Sequence, residues 1–230
     1  MDLLLLHGAL GTRDQLAPLS ADLPGLASRA IDLRGHGQRS IPPGGLTFEH
    51  FVEDISIALD EAGWQQADLL GFSMGGYAAL LFASRYPERV RSVVTLGTKL
   101  NWDREGLERE RRLLDPEKIH AKVPRFAEML AEQHGADRWV DLVKETACLI
   151  TGLHEKPLLT PVVFATITCP VLLCVGDRDQ TAVPEHTLQA ARLMPKAGTL
   201  VLPNTPHSFE AVDRKVLLPH LQAFWGSLPA

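Results

Sequence analysis

The stretch "LLGFSMGGYAAL", residues 69 to 80, sets Ser73 between Gly71 and Gly75, directly after an apolar run and directly before an alanine-rich segment. A serine hydroxyl becomes a nucleophile when a base removes its proton, and that base is most often a histidine oriented by an acid. The five residues Gly-x-Ser-x-Gly are a weak signal alone, so their context decides. Asp68 to Phe72 read as a short buried strand, and Met74 to Tyr86 as a helix that stops at Pro87. Strand, sharp turn and immediate helix are what a nucleophile elbow requires. In such a turn the chain passes so close to itself that a Cβ at either glycine would collide, whereas a plain turn around a small serine needs no such pair. The helix start also aims unpaired N–H groups, Met74 first, at the space above Ser73, where an oxyanion could form.

A base and an acid have to come from elsewhere in the chain. In an open parallel sheet, functional groups gather at the carboxyl ends of strands, which filters the nine histidines. His207, in "TLVLPNTPHSF", lies on a loop beyond the apolar run Thr199 to Leu202. "VLLCVGDRDQTAVP" leaves its strand at Gly176 and offers both Asp177 and Asp179. Nucleophile, acid, histidine is the chain order that goes with the elbow. Taken singly, His207 would be a loop histidine and the aspartates turn or cap residues. His7, in "LLLLHGALG", reads as a backbone device that brings the N–H of Ala9 towards the site as a second oxyanion donor. His36 reads as structural, its loop held by Arg34, Gly35 and Gly37. His50, His120, His134, His154, His186 and His220 are expected in solvated or capping roles. No metal site is expected, because no histidine pair shares ligand spacing with a third ligand. Cys148, Cys169 and Cys174 read as free thiols.

The elements that must position these groups follow from the periodicity. Strands are predicted over 3–6, 28–33, 68–72, 90–96, 171–175 and 199–202, and helices near 14–22, 47–62, 74–86, 184–193 and 212–225, where Pro219 should kink or restart the last one. This alternation predicts an α/β fold, a mostly parallel sheet of about six strands with helices on both faces. Residues 99 to 166 differ: 23 of these 68 are charged, against 28 of the other 162, and no strand pattern occurs. They read as a helical insertion, with helices near 103–114, 122–134 and 137–151, so the core spans 1–98 and 167–230. Both ends of the insertion are expected at the carboxyl edge of the sheet, which would make it a roof over Ser73. Trp102, Met129 and Trp139 are the candidates for lining a substrate pocket, against the competing reading that each is core of the insertion.

A chain of 230 residues with 45% apolar content needs only one domain, and a net charge of −5 without long single-sign blocks points away from nucleic acid and membrane partners. The segment "MDLLLLHG" is too short for a signal or membrane helix, so a cytoplasmic monomer or homodimer is the expectation.

Together "LLHGALG", "DLRGHGQRS", "GFSMGG", "GDRDQTAVP" and "PNTPHSF" resemble the α/β-hydrolase superfamily, in its order, over residues 3 to 98 and 168 to 226. The resemblance implies a triad of Ser73, Asp179 and His207, with backbone donors at Ala9 and Met74 and no cofactor. It favours Asp179 over Asp177, because the family's acid in such a loop is the second aspartate. The strand pair that usually opens this fold is not expected here, which would leave 28–33 as an edge guarded by Arg29, and the lid matches no familiar pattern. The expectation is a serine carboxylesterase acting on small to medium acyl esters. Lactone or thioester hydrolysis, cofactor-free perhydrolysis and carbon–carbon cleavage could use the same triad. Haloalkane and epoxide hydrolysis are disfavoured, since those relatives carry aspartate in place of Ser73. A small-molecule receptor is the alternative of another class.

Overall fold

The computed structural model describes residues 2–23 and 25–228. Six strands form one parallel sheet: β1 (Asp2–Leu6), β2 (Ala27–Ile31), β3 (Ala67–Phe72), β4 (Val90–Leu96), β5 (Val171–Gly176) and β6 (Ala197–Leu202), in the order β2-β1-β3-β4-β5-β6. Side chains alternate between faces along a strand. Leu4, Leu6 and Leu69 therefore join one core cluster, and Leu3, Leu5, Leu70 and Phe72 the other. The first face is covered by α2 (Phe48–Glu61), α3 (Met74–Arg85) and α9 (Pro184–Ala191), the second by α1 (Ala17–Ala21) and α10 (Arg214–Gly226). With both faces covered, the central strands β1 and β3 are almost wholly buried, as their unbroken apolar runs require.

β2 is an edge, as expected, but ends at Ile31 rather than Leu33. The Leu33 N–H leaves the ladder to donate to His7 Nε2 at 3.0 Å. Arg29 spans that edge, donating to the Ala58 carbonyl and pairing with Glu61, which blunts it against strand addition. α10 runs through Pro219 as a single helix.

Between β4 and β5 the chain forms five helices where three were expected: α4 (Arg104–Leu113), α5 (Pro116–Lys122), α6 (Pro124–His134), α7 (Trp139–Glu155) and α8 (Pro161–Thr166). The two additional ones are α5 and α8. Because β5 runs parallel to β4, the chain returns from the insertion at the amino end of β5, so only the first end of the insertion lies at the carboxyl edge, not both as expected. Asp115 caps α5 and Thr160 caps α8, each followed by a proline at the first helical position, which is pre-set for the helix and needs no N–H there.

Candidate active site

Ser73 occupies the turn from β3 into α3 with φ 49° and ψ −112°, a left-handed conformation that side chains rarely adopt. The turn is tight on both sides. A Cβ on Gly71 would overlap the backbone of Gly75 and Gly76, and one on Gly75 the carbonyl oxygens of Leu6 and His7. The strained residue is pinned by its own backbone: its N–H donates to Leu96 O at 2.8 Å, and its carbonyl accepts from Gly76, Tyr77 and Thr98 Oγ1. Such strain persists only where the surroundings over-determine it.

The Ser73 Oγ lies 3.1 Å from His207 Nε2, across 134 residues of sequence, and His207 Nδ1 lies 2.8 Å from Asp179 Oδ2. The other Asp179 oxygen accepts the N–H groups of Thr181 and Ala182 at 2.8 and 2.7 Å, so this buried carboxylate is fixed in orientation. Asp177 has a different task. Its Oδ1 accepts the Thr205 N–H at 3.1 Å, and the Arg178 N–H donates to Thr205 O, which straps the acid loop to the loop that carries His207. Gly176 permits this close approach, since a Cβ there would overlap the Thr205 carbonyl. Gly97, with φ 61°, ends β4 beside both groups: a Cβ there would stand 3.2 Å from Asp179 Oδ2 and 3.5 Å from His207. The sequence reading passed over Gly97, whose signal was a glycine at a strand's carboxyl end.

Ala9 and Met74 both line the cavity onto which Ser73 opens. Met74 is the first residue of α3, where helical N–H groups have no intrahelical partner. The loop bearing Ala9 is built tightly. The Gly8 N–H donates to Gln15 Oε1, the Gly11 N–H to Gly8 O, and Leu10 has φ 58°. His7 fixes its root: because Nε2 accepts from Leu33, Nδ1 carries the proton and donates to Gly8 O at 2.8 Å.

One histidine departs from expectation. His134, at the end of α6, is neither solvated nor a cap but fully buried. Its Nδ1 accepts the Gly37 N–H at 2.9 Å, so its Nε2–H donates to Leu10 O at 3.0 Å. The insertion is thereby tied to two core loops, one of them next to Ala9. His36 lies between the other two, its ring 4.8 Å from that of His7 and 5.9 Å from that of His134. Burial pushes all three below the usual histidine range, His7 to about 4, which keeps them neutral. Around them, the fully buried carboxylate of Asp54 holds Arg34 and Arg39 in place.

The cavity measures about 720 Å³ and lies between the carboxyl edge of the sheet and the insertion. Trp102 and Met129 line it, together with Tyr77, Phe126, Leu149 and Ile150. Trp139 does not: it is buried in the hydrophobic core with Leu142 and Val143, because the apolar stripe at the start of α7 faces its neighbours. Tyr77 closes the far wall, its oxygen accepting the Leu158 and Leu159 N–H groups, and burial pushes its hydroxyl up to about 12. Among the described residues no group of three or more His, Cys, Asp or Glu could hold a metal ion, and no helix is long and apolar enough to cross a membrane. Burial pushes the Cys169 and Cys174 thiols up to about 11 and 12, while Cys148 is exposed.

Comparison with known proteins gives the same fold. The family described as alpha/beta hydrolase fold matches residues 3–132. A serine hydrolase-like protein of Danio rerio is 40% identical over 101 residues, covering 41% of this chain and 30% of the relative. A 2-(acetamidomethylene)succinate hydrolase of Mesorhizobium japonicum is 24% identical over 243 residues, covering 96% and 87%. The chain spans less than half the length of the curated relatives that it matches at 36% and 40% identity. Among solved structures, NosK from Streptomyces actuosus superposes with a TM-score of 0.82 at 23% identity, over 99% of this chain and 98% of its own. With β1, the serine turn and the start of the insertion inside the matched residues, the chain belongs to the α/β-hydrolase fold family.

Proposed function

We propose that this hydrolase is a cofactor-free serine esterase that cleaves small to medium acyl esters through an acyl-enzyme. The observation that carries the reading is the unbroken relay from Ser73 Oγ through His207 to the buried, doubly bonded Asp179, opening into a largely apolar cavity. Ser73 attacks the ester carbonyl while His207 Nε2 takes its proton. Asp179 holds Nδ1 protonated and stabilises the imidazolium that forms. The N–H groups of Ala9 and Met74 receive the oxyanion, a contribution of about 10²- to 10³-fold per donor in comparable sites. His207 then returns the proton to the leaving alcohol, and water repeats the cycle on the acyl-enzyme. Several relatives are named as serine hydrolase, lipase or hydrolase, in keeping with this chemistry.

The helical insertion roofs the site and serves as its lid. Trp102 and Met129 are proposed as substrate contacts, and Trp139 as core only. Relatives named for succinate derivatives raise a carboxylate substrate as a rival. The cavity does not favour it: Lys99, the one Lys or Arg lining it among the described residues, is enclosed 3.6 Å from Glu110 and lies over the Trp102 ring.

Ser73→Ala removes one oxygen from a turn that the backbone already holds. It should abolish turnover of nitrophenyl esters and labelling by a serine-directed phosphonate, with the circular dichroism unchanged. A variant that kept more than a few per cent of the wild-type rate would remove Ser73 from this role.

A further inference from the structure

The two walls of the cavity differ in polarity, and the chemistry at Ser73 fixes which part of an ester meets each. This inference rests on the esterase reading above. At the tetrahedral centre the acyl carbon carries four substituents: Ser73 Oγ, the oxyanion, the leaving oxygen and the acyl chain. The oxyanion points to Ala9 and Met74. The leaving oxygen must come within reach of His207 Nε2 to be protonated, so the alcohol lies on the His207 side. The acyl chain takes the remaining direction, under the insertion.

On the His207 side the cavity wall is formed by Ser208 and Glu210 from the same loop and by Asp14 from the loop after β1. Asp14 has no ion-pair partner among the described residues, and Glu210 accepts from Ser208 Oγ. An adjoining hollow shares Asp14 and Glu210 and adds Asp22, Asp213, Arg214 and Lys215. Arg214 is occupied by Asp22 at 2.8 Å and Lys215 is the other cation there, so against Asp14, Asp22, Glu210 and Asp213 the rim stays acidic on balance. Lys99 cannot offset it, enclosed as it is beside Glu110.

Under the insertion the wall is mainly apolar, broken by the paired Lys99 and Glu110 and by Gln133 and Thr146, and its outer lip is open. Leu113, Phe126 and Met129 line the cavity while remaining 63%, 36% and 38% exposed. Leu149, Ile150 and Leu153 of α7 continue that surface inward. We infer that the site takes esters of apolar, medium-chain acids with cationic or neutral alcohols and disfavours alcohols that carry an anion, with Asp14 and Glu210 as the residues that set the choice of alcohol. The acid rim attracts a positive alcohol head and repels a negative one through partly exposed charges, so the discrimination is modest and sensitive to salt.

The test compares octanoyl esters of three alcohols of similar size: choline, its neutral isostere 3,3-dimethylbutanol, and 3-hydroxypropanesulfonate, followed by acid release at low ionic strength. The expected order of kcat/KM is choline, then neutral, then sulfonate, with steps of about 3- to 10-fold that shrink in 0.5 M salt. Asp14→Asn with Glu210→Gln should bring the three esters to within about twofold of one another. Met129→Glu should instead lower the octanoate-to-acetate ratio by about tenfold while keeping the order of alcohols. A sulfonate ester hydrolysed as fast as the choline ester, or an order unmoved by the double variant, overturns the inference and leaves the esterase reading standing. Failure to turn over any of the three overturns both.

Discussion

Asp177 and Asp179 are two residues apart and of the same type, yet their substitutions should behave differently. Asp179 touches His207, whereas Asp177 touches the backbone of Thr205 and the guanidinium of its neighbour Arg178. Asp179→Asn should lower kcat by up to about 10⁴, because the amide no longer holds the imidazole in the working tautomer. Asp177→Asn loosens the strap on the histidine loop and should cost stability first, with a much smaller loss in rate. Steady-state kinetics beside thermal melts of both variants check this, and equal kinetic losses would reverse the assignment. The residues also differ in how readily the sequence reveals them. Ser73 stands out because glycines frame it, and backbone crowding makes those glycines necessary. His207 stands out by its place after a strand. The choice between the aspartates depends on which carboxylate a loop turns inward, and spacing does not encode that; the family resemblance supplied it. Trp139 was open to two readings for a related reason: an aromatic on an amphipathic helix packs equally well against a neighbouring helix or a ligand.

At the scale of elements, apolar runs and caps made the six strands and the main helices legible, since burial on both faces forces that pattern. The insertion was less so. Its short helices are set by Asp-Pro and Thr-Pro starts rather than by periodicity, and its fixed point, His134, is polar in sequence and buried in fact. Nothing local marks a histidine whose partners lie 97 and 124 residues away. His134→Phe keeps a ring but leaves the Gly37 N–H and Leu10 carbonyl without partners, at about 1–3 kcal/mol for each buried group. Because Leu10 follows Ala9, kcat should also fall, by about tenfold, a fraction of the loss on deleting an oxyanion donor. His134→Gln, which can still donate to Leu10, should recover part of kcat. Stability lost with kcat unchanged would confine the tie to holding the fold together. For the same reason the insertion is not a detachable cover: excising residues 99–166 removes a support of the oxyanion loop along with the roof.

For the whole molecule, the three neutral histidines make folding sensitive to acid. The folded His7 titrates near 4 against an ordinary value of 6.5, so between those limits the unfolded chain binds more protons than the folded one. The stabilisation is complete above pH 6.5 and is lost as pH falls towards 4, worth about 3 kcal/mol for His7 alone. His36 and His134 shift the same way and add to the slope. Melting temperatures should be level above about pH 7 and drop steeply below about pH 6. A flat profile down to pH 4.5 would mean that these rings are hydrated in solution.

The separation in sequence between Ser73 and His207 bears on how the protein comes into being. The chain is made from its N-terminus, and the proposed nucleophile with both proposed backbone donors is complete within the first 98 residues, yet the proposed base arrives only with the loop after β6. Contacts of such long range form late, because the loops between them must first be closed at an entropic cost. A nascent or truncated chain thus carries a serine without its proton acceptor, and hydrolytic competence arrives only with the finished sheet.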